Sequence, residues 1–218
     1  MADGETLARL INAEKVNYSL GVPIIWLAFV NYLEQSGESE DSLNTMVVGG
    51  SACPLLLMHA LEKLGVWADV GWGMTEMSPL GICNRQTAEM RQSTREHVDQ
   101  MRVKAGRSVF GVEMKIVDHD DRSLPRDGRS SGLLKVRGPW VCSSYFRGDQ
   151  STALEADGWF DTGDMATIDR RGTLTITDRV KGVIKSGGEW ISSIDVENAA
   201  IAHPDVREAA VIGIADEK

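Results

Sequence analysis

TMVVGGSACPLLLMHALEKLGVWADVGWG, residues 45–73, holds the pattern that decides the fold. The short apolar run TMVV meets a pair of glycines, PLLLMHALEKLG carries apolar side chains at helical spacing, and WADVGWG is extended and again closes on glycines. Strand, turn, helix and strand in that order predict α/β layering, with a parallel sheet as the outcome. Upstream the same alternation continues. TLARLINAEK has helical spacing and VNYSLGV reads as extended. Pro23 suits the first turn of PIIWLAFVNYLEQ, and Gly37 ends that helix.

Downstream the period changes. Residues 81–106 are polar and mixed, read as a surface excursion with a helical piece around QSTREHVDQM. From residue 109 the period is two, through VFGVEMKIVD, LLKVRGPWV, MATID and TLTITD, with DHDDRSLPRDGRSSG and RRG as turns, which predicts a β-rich lobe. In GWFDTGDMATID, residues 158–169, DTGD reads as a tight turn before a half-buried strand, with Asp161 capping backbone amides or one aspartate delivered to a fixed edge. After Asp178, RVKGVIKSGGEW leads into the helix SIDVENAAIAH and a strand REAAVIGIA. One helix and one or two strands cannot enclose a core, so this last unit reads as incomplete.

Composition limits the partners. The 218 residues are 42% hydrophobic, enough for a sizeable core, and the net charge of -9 argues against nucleic acid or an anionic membrane surface. Cys53, Cys83 and Cys142 are far apart and form no C-x-x-C pair, which predicts neither a disulfide framework nor a zinc site and fits a reducing cytoplasm. GVPIIWLAFV is too short to span a bilayer, and MADGETLARL is too polar for a secretory signal. A homo-oligomer is compatible with this composition.

Two glycine-bearing turns follow strands. In GGSACP, residues 49–54, Gly49 and Gly50 expose backbone to a flat ligand, with Ser51 near a helix start; a plain strand-to-helix turn explains the motif equally well. In GWGMTEMSPLG, residues 71–81, Thr75 and Glu76 place a hydroxyl beside a carboxylate. That pair suits one phosphate oxygen and one hard divalent cation. Taken alone it is an ordinary helix start.

These segments, with the stretch holding DTGD, DRVKGVIKSGGEW and SSIDVEN, stand in the order and spacing of the adenylate-forming acyl-CoA synthetases. The chain closely resembles that superfamily over nearly its whole length. The run IKSGGEWISSIDVEN is most similar to the branch of medium-chain fatty acyl-CoA and methylmercaptopropionate-CoA ligases. The resemblance implies residues 1–178 as the C-terminal portion of the large AMP-binding domain and 179–218 as a hinge and the start of a small α+β domain.

The resemblance also implies roles. Gly50, Ser51 and Ala52 would pass along the adenine, and Trp72, Gly73 and Met74 would line the approach to the nucleotide. Thr75 would bond the α-phosphate and Glu76 would hold Mg2+. Asp164 would accept both ribose hydroxyls of AMP, with Arg179 supporting the ribose or phosphate. Lys181 would be the hinge, with Gly187 and Gly188 giving backbone freedom and Lys185 and Glu189 on the loop brought in for thioester formation. This chain departs from many relatives at Gly182, where they carry aspartate. Tyr18 and Trp26 would lie along the acyl tunnel, although an aromatic in an apolar helix is equally a core residue.

The implied substrates are a carboxylic acid, ATP and coenzyme A. Neither a TSGTTGxPKG-type phosphate loop nor the adenylating lysine lies within these residues, so the chain by itself is expected not to turn over. A non-catalytic nucleotide-binding or regulatory module is the alternative, and a sibling enzyme that loads a carrier protein is a third reading.

Overall fold

The structure, a computed structural model, describes residues 3–147, 153–179, 184–186, 189–191, 193–201, 203, 206 and 209–214. Two compact units divide the chain: Met1–Met74 with Leu80–Gly106, and Thr75–Pro79 with Arg107–Lys218.

The first unit is built on the expected alternation of helix and strand. α1 (Gly4–Glu14) starts where the Asp3 carboxylate accepts from the Thr6 amide at 2.7 Å, satisfying an otherwise orphaned donor. β1 (Tyr18–Gly21) leads to α2 (Pro23–Ser36), which opens with proline and closes on Gly37 at φ 71°. Among the described residues no atom lies within 4 Å of a Cβ added at Gly37, so its backbone angle alone demands glycine. Gly37→Ala is therefore expected to cost about 1 kcal/mol, read as a lower urea midpoint with unchanged slope.

β2 (Thr45–Val48), α3 (Leu55–Lys63) and β3 (Trp67–Gly73) complete the βαβ unit. β1, β2 and β3 are parallel neighbours, with Tyr18, Thr45 and Trp67 level at one end and Val48 level with Val70 near the other. Met46 and Val48 are fully buried in a core shared with Trp26, Phe29, Leu57 and Leu61.

Residues 81–106 are not a surface excursion throughout. β4 (Leu80–Asn84) returns antiparallel against β3 and buries Ile82 completely, so the sheet is mixed rather than parallel. Its five residues carry only a short apolar signal among polar neighbours, and hairpin pairing to β3 supplies what periodicity lacks. α4 (Ala88–Gln92) and α5 (Arg95–Arg102) follow. Asn84 anchors the end of α5, its Nδ2 donating to the carbonyls of Met101 at 2.7 Å and Lys104 at 2.8 Å. The buried Arg102 pairs with Glu62 at 2.6 Å and stacks over Trp67 at 4.2 Å.

The second unit begins with the two-residue β5 (Arg107–Ser108) and contains the antiparallel order β6 (Glu113–Val117), β7 (Gly132–Arg137), β8 (Phe160–Ile168) and β9 (Leu174–Arg179). DTGD is not a turn ahead of the strand. It lies inside β8, where Leu133 faces Met165 but Lys135 faces Asp161, so β8 carries two more residues than β7 across that interval. Gly163, at φ 70°, takes the bend. The extra pair of residues keeps the inward phase of β8, which continues with Ala166 and Ile168, both fully buried.

β10 (Ile184–Ser186) and β11 (Glu189–Ile191) form a hairpin, and α6 (Ser193–Ile201) follows. The strand expected over REAAVIGIA is not formed among its described residues, 209–214. A strand needs a ladder partner, and here the Val211 amide donates to the Glu197 side chain at 2.9 Å instead.

Candidate active site

In the first unit, the C-terminal ends of the parallel strands bring three backbone segments together: Gly21, Gly49–Gly50 and Gly71–Gly73. The Gly49 amide donates to the Gly21 carbonyl at 3.1 Å, and a Cβ on Gly49 would lie 2.9 Å from the Gly71 carbonyl oxygen. Gly50 adopts φ 85°, and a Cβ there would meet Val22 at 2.9 Å. Both glycines are thus required by the fold before any ligand is considered. This strand-end edge is where open α/β sheets place their ligands. Ser51 and Ala52 are exposed beyond it, and Trp72 and Gly73 are half-buried on the neighbouring strand. Ser51 does not cap α3, whose first residue is Leu55 and whose cap position is Pro54, without a side-chain bond.

Tyr18 and Trp26 occupy different places. Tyr18 starts β1, at the opposite end of the sheet from these glycines, and is largely exposed. Trp26 is buried in the core, edge-on to Phe29, with its indole 3.0 to 3.1 Å from the position of a Gly21 Cβ. Among the described residues its Nε1 has no hydrogen-bond partner.

In the second unit, Thr75–Met77 form a single 3₁₀ turn after Met74. Thr75 is exposed, Glu76 half-buried and Met77 buried, so the turn presents the hydroxyl while holding the carboxylate closer in. The Glu76 carbonyl accepts from the Cys142 amide at 2.8 Å. Its Oε1 accepts from the Tyr145 phenol at 2.9 Å.

β8 and β9 set the other candidate residues. Burial alternates along β8, turning Phe160, Thr162 and Asp164 inward and leaving Asp161 outward. Thr162 donates to the Leu134 carbonyl at 2.8 Å and accepts from the Asp164 amide at 3.1 Å, which pins the bulge to β7. Asp161 accepts from the Gly163 amide at 2.9 Å, the local role expected of a turn aspartate. Asp164 is 4% exposed, faces Arg179 across the ladder and lies 3.2 Å from its Nε.

Asp178 was not singled out by sequence reading. Buried at the end of β9, it accepts from the Arg179 amide at 2.6 Å and the Ser193 amide at 3.0 Å, so it holds the first residue of α6. Tyr145 was missed as well, because its partner is far upstream in the chain. Lys181, Gly182, Gly187 and Gly188 lie outside the described residues, and Lys185 and Glu189 are placed only as members of β10 and β11.

The donor set suits the ligands these motifs imply. A buried carboxylate is an acceptor-only group able to take two hydroxyl donors. Among the described residues no group of three or more His, Cys, Asp or Glu side chains could hold a metal ion. Glu76 could offer one carboxylate to Mg2+, an ion that takes one or two carboxylates when phosphates and water supply the rest. No helix among the described residues is long and apolar enough to cross a membrane.

A family model described as "AMP-binding enzyme" matches residues 1–146. The 3-methylmercaptopropionyl-CoA ligase of Ruegeria lacuscaerulensis is 48% identical over 97% of this chain and 39% of its own length. The medium-chain-fatty-acid–CoA ligase of Ectopseudomonas oleovorans is 45% identical over 99% of this chain and 40% of its own. The chain thus spans about two fifths of the length of these relatives. Among solved structures, the anthranilate CoA ligase AuaEII in complex with anthranoyl-AMP superposes with a TM-score of 0.82 at 27% identity, over 98% of this chain and 39% of that one. The o-succinylbenzoate coenzyme A synthetase of Bacillus subtilis, in complex with ATP and magnesium ion, superposes with a TM-score of 0.81 at 27% identity, over 99% and 42%. The match of the family model to most of its length places this chain in the AMP-binding enzyme family.

Proposed function

We propose that this chain is the adenylate-handling segment of an ATP-dependent acyl-CoA ligase acting on a carboxylic acid of the fatty-acid class. The observation that carries the reading is Asp164: a carboxylate turned inward by strand phase, braced by a threonine-pinned bulge and set against Arg179. Such an acceptor suits the paired hydroxyls of a ribose. The two CoA ligases at 48% and 45% identity support the reaction class.

In that reaction the acid's carboxylate oxygen attacks the α-phosphorus of ATP, the bond to pyrophosphate breaks, and acyl-adenylate forms. The thiolate of coenzyme A then attacks the acyl carbonyl and AMP leaves. Thr75 would donate its hydroxyl to an α-phosphate oxygen, Asp164 and Arg179 would hold the ribose, and Gly50–Ala52 with Trp72–Met74 would flank the base. Glu76 would hold Mg2+, which supplies positive charge to the phosphates. The chemistry needs positioning and charge neutralisation rather than a protein nucleophile. Residues 179–218 are read as the start of a small domain that turns about Lys181 between the two steps.

The test is a chimera in which this segment replaces its counterpart in the Ruegeria lacuscaerulensis ligase, assayed for pyrophosphate release and acyl-CoA formation across a series of carboxylic acids. The chimera is expected to be active, Glu76→Ala to be severely impaired, and the purified 218-residue chain to make no acyl-CoA. A well-folded chimera that binds AMP yet releases no pyrophosphate with any acid would favour the non-catalytic nucleotide-binding module. Turnover by the chain alone, above its own Glu76→Ala control, would show that the segment needs no complement.

A further inference from the structure

We propose that Tyr145 is a positioning residue for Glu76, holding the carboxylate at a fixed place on the turn through its phenol. The inference rests on the reading of Glu76 as the metal-holding carboxylate and assigns the group that keeps it in register. Glu76 is gripped twice by one stretch of chain. The Cys142 amide donates to its carbonyl at 2.8 Å, and three residues later the Tyr145 phenol donates to Oε1 at 2.9 Å. Ser78 adds a bond from the same turn to the Trp140 carbonyl at 3.3 Å. That stretch is itself seated, since the Trp140 ring lies 3.1 Å from the position of a Cβ on Gly111.

A glutamate side chain has rotamer freedom that it loses when it binds a cation, and a bond already holding it in place removes part of that loss. The choice of a phenol matters. A lysine or arginine at this place would neutralise the carboxylate and compete with the cation, whereas a neutral O–H restrains one oxygen and leaves the charge intact.

The measurement uses the chimeric ligase assayed above, with Mn2+ as the probe in the presence of ATP, followed by electron paramagnetic resonance. Tyr145→Phe is expected to weaken Mn2+ binding about 10- to 100-fold, with ATP affinity in the absence of metal unchanged and pyrophosphate release recovered at raised Mg2+. Tyr145 is 55% exposed, so the phenylalanine variant keeps its fold, which its melting temperature checks. If Tyr145→Phe binds Mn2+ like the parent while Glu76→Gln does not, Tyr145 has no positioning role and the reading of Glu76 stands. If Glu76→Gln also binds like the parent, that reading fails and takes this inference with it.

Discussion

Asp164→Ala in the chimeric ligase is expected to lower affinity for AMP on the order of a hundredfold or more, while Asp161→Ala leaves it near the parent value. The two aspartates stand three residues apart, yet strand phase sends them to opposite sides. Asp161 faces out and spends one oxygen on the Gly163 amide at 2.9 Å. Asp164 faces in, 4% exposed, with its backbone fixed by Thr162. A hydrogen bond to a charged group contributes about 1.5 to 3 kcal/mol, so the loss of two from the ribose hydroxyls predicts the stated factor. Asp164 is buried while its partner Arg179 is 74% exposed, so the melting temperature of each variant separates lost binding from lost stability. Calorimetric titration of both variants with AMP checks the assignment, and equal affinities would contradict it.

Lys181→Pro is expected to separate the two half-reactions. If the small domain turns at this residue, its backbone has to visit two conformations, and proline holds φ near about -65° while restricting the residue before it. Pyrophosphate release in a single-turnover burst should persist, because on this reading the adenylating arrangement can form without rotation. Thioester formation from preformed acyl-adenylate and coenzyme A should fall by orders of magnitude, since the loop bearing Lys185 and Glu189 no longer reaches the site. The bonds that Ser193 donates to the Asp178 carboxylate join residues on either side of this position in the chain and tie β9 to α6. A turn that carried α6 away from β9 would have to break them, which would make Asp178 part of the same equilibrium. Circular dichroism and melting temperature must stay near the parent's for the comparison to count. Equal loss in both steps would make Lys181 a structural residue, and no loss in either would remove the two-conformation mechanism.

The helices α1, α2 and α3 and the parallel strands of the first unit were legible because each carries its own signal. Asp3, Pro23 and Gly37 mark ends through groups that lie within a few residues of them, and TMVV and WADV are apolar enough to declare themselves strands. The candidate site was legible as motifs, in that the order of GGSACP, GWGMTE, DTGD and DRVKG pointed to an adenylate-forming enzyme. The geometry that serves the motifs was less so. β4 was hidden because its stability comes from pairing with β3, not from local pattern. DTGD was read as a turn because its glycine and aspartates are turn residues, and only the register of β7 shows them as extra residues inside β8.

Sequence by itself determined the α/β alternation, the β-rich lobe and the family, because periodicity, end signals and ordered motifs are properties of neighbours along the chain. Tertiary structure decided which side of β8 each aspartate faces, that Asp178 reaches Ser193, and that Tyr145 reaches Glu76 across 69 positions. Those contacts depend on strand register and on loops that close over long separations. Their free energy comes from partners that no local window contains.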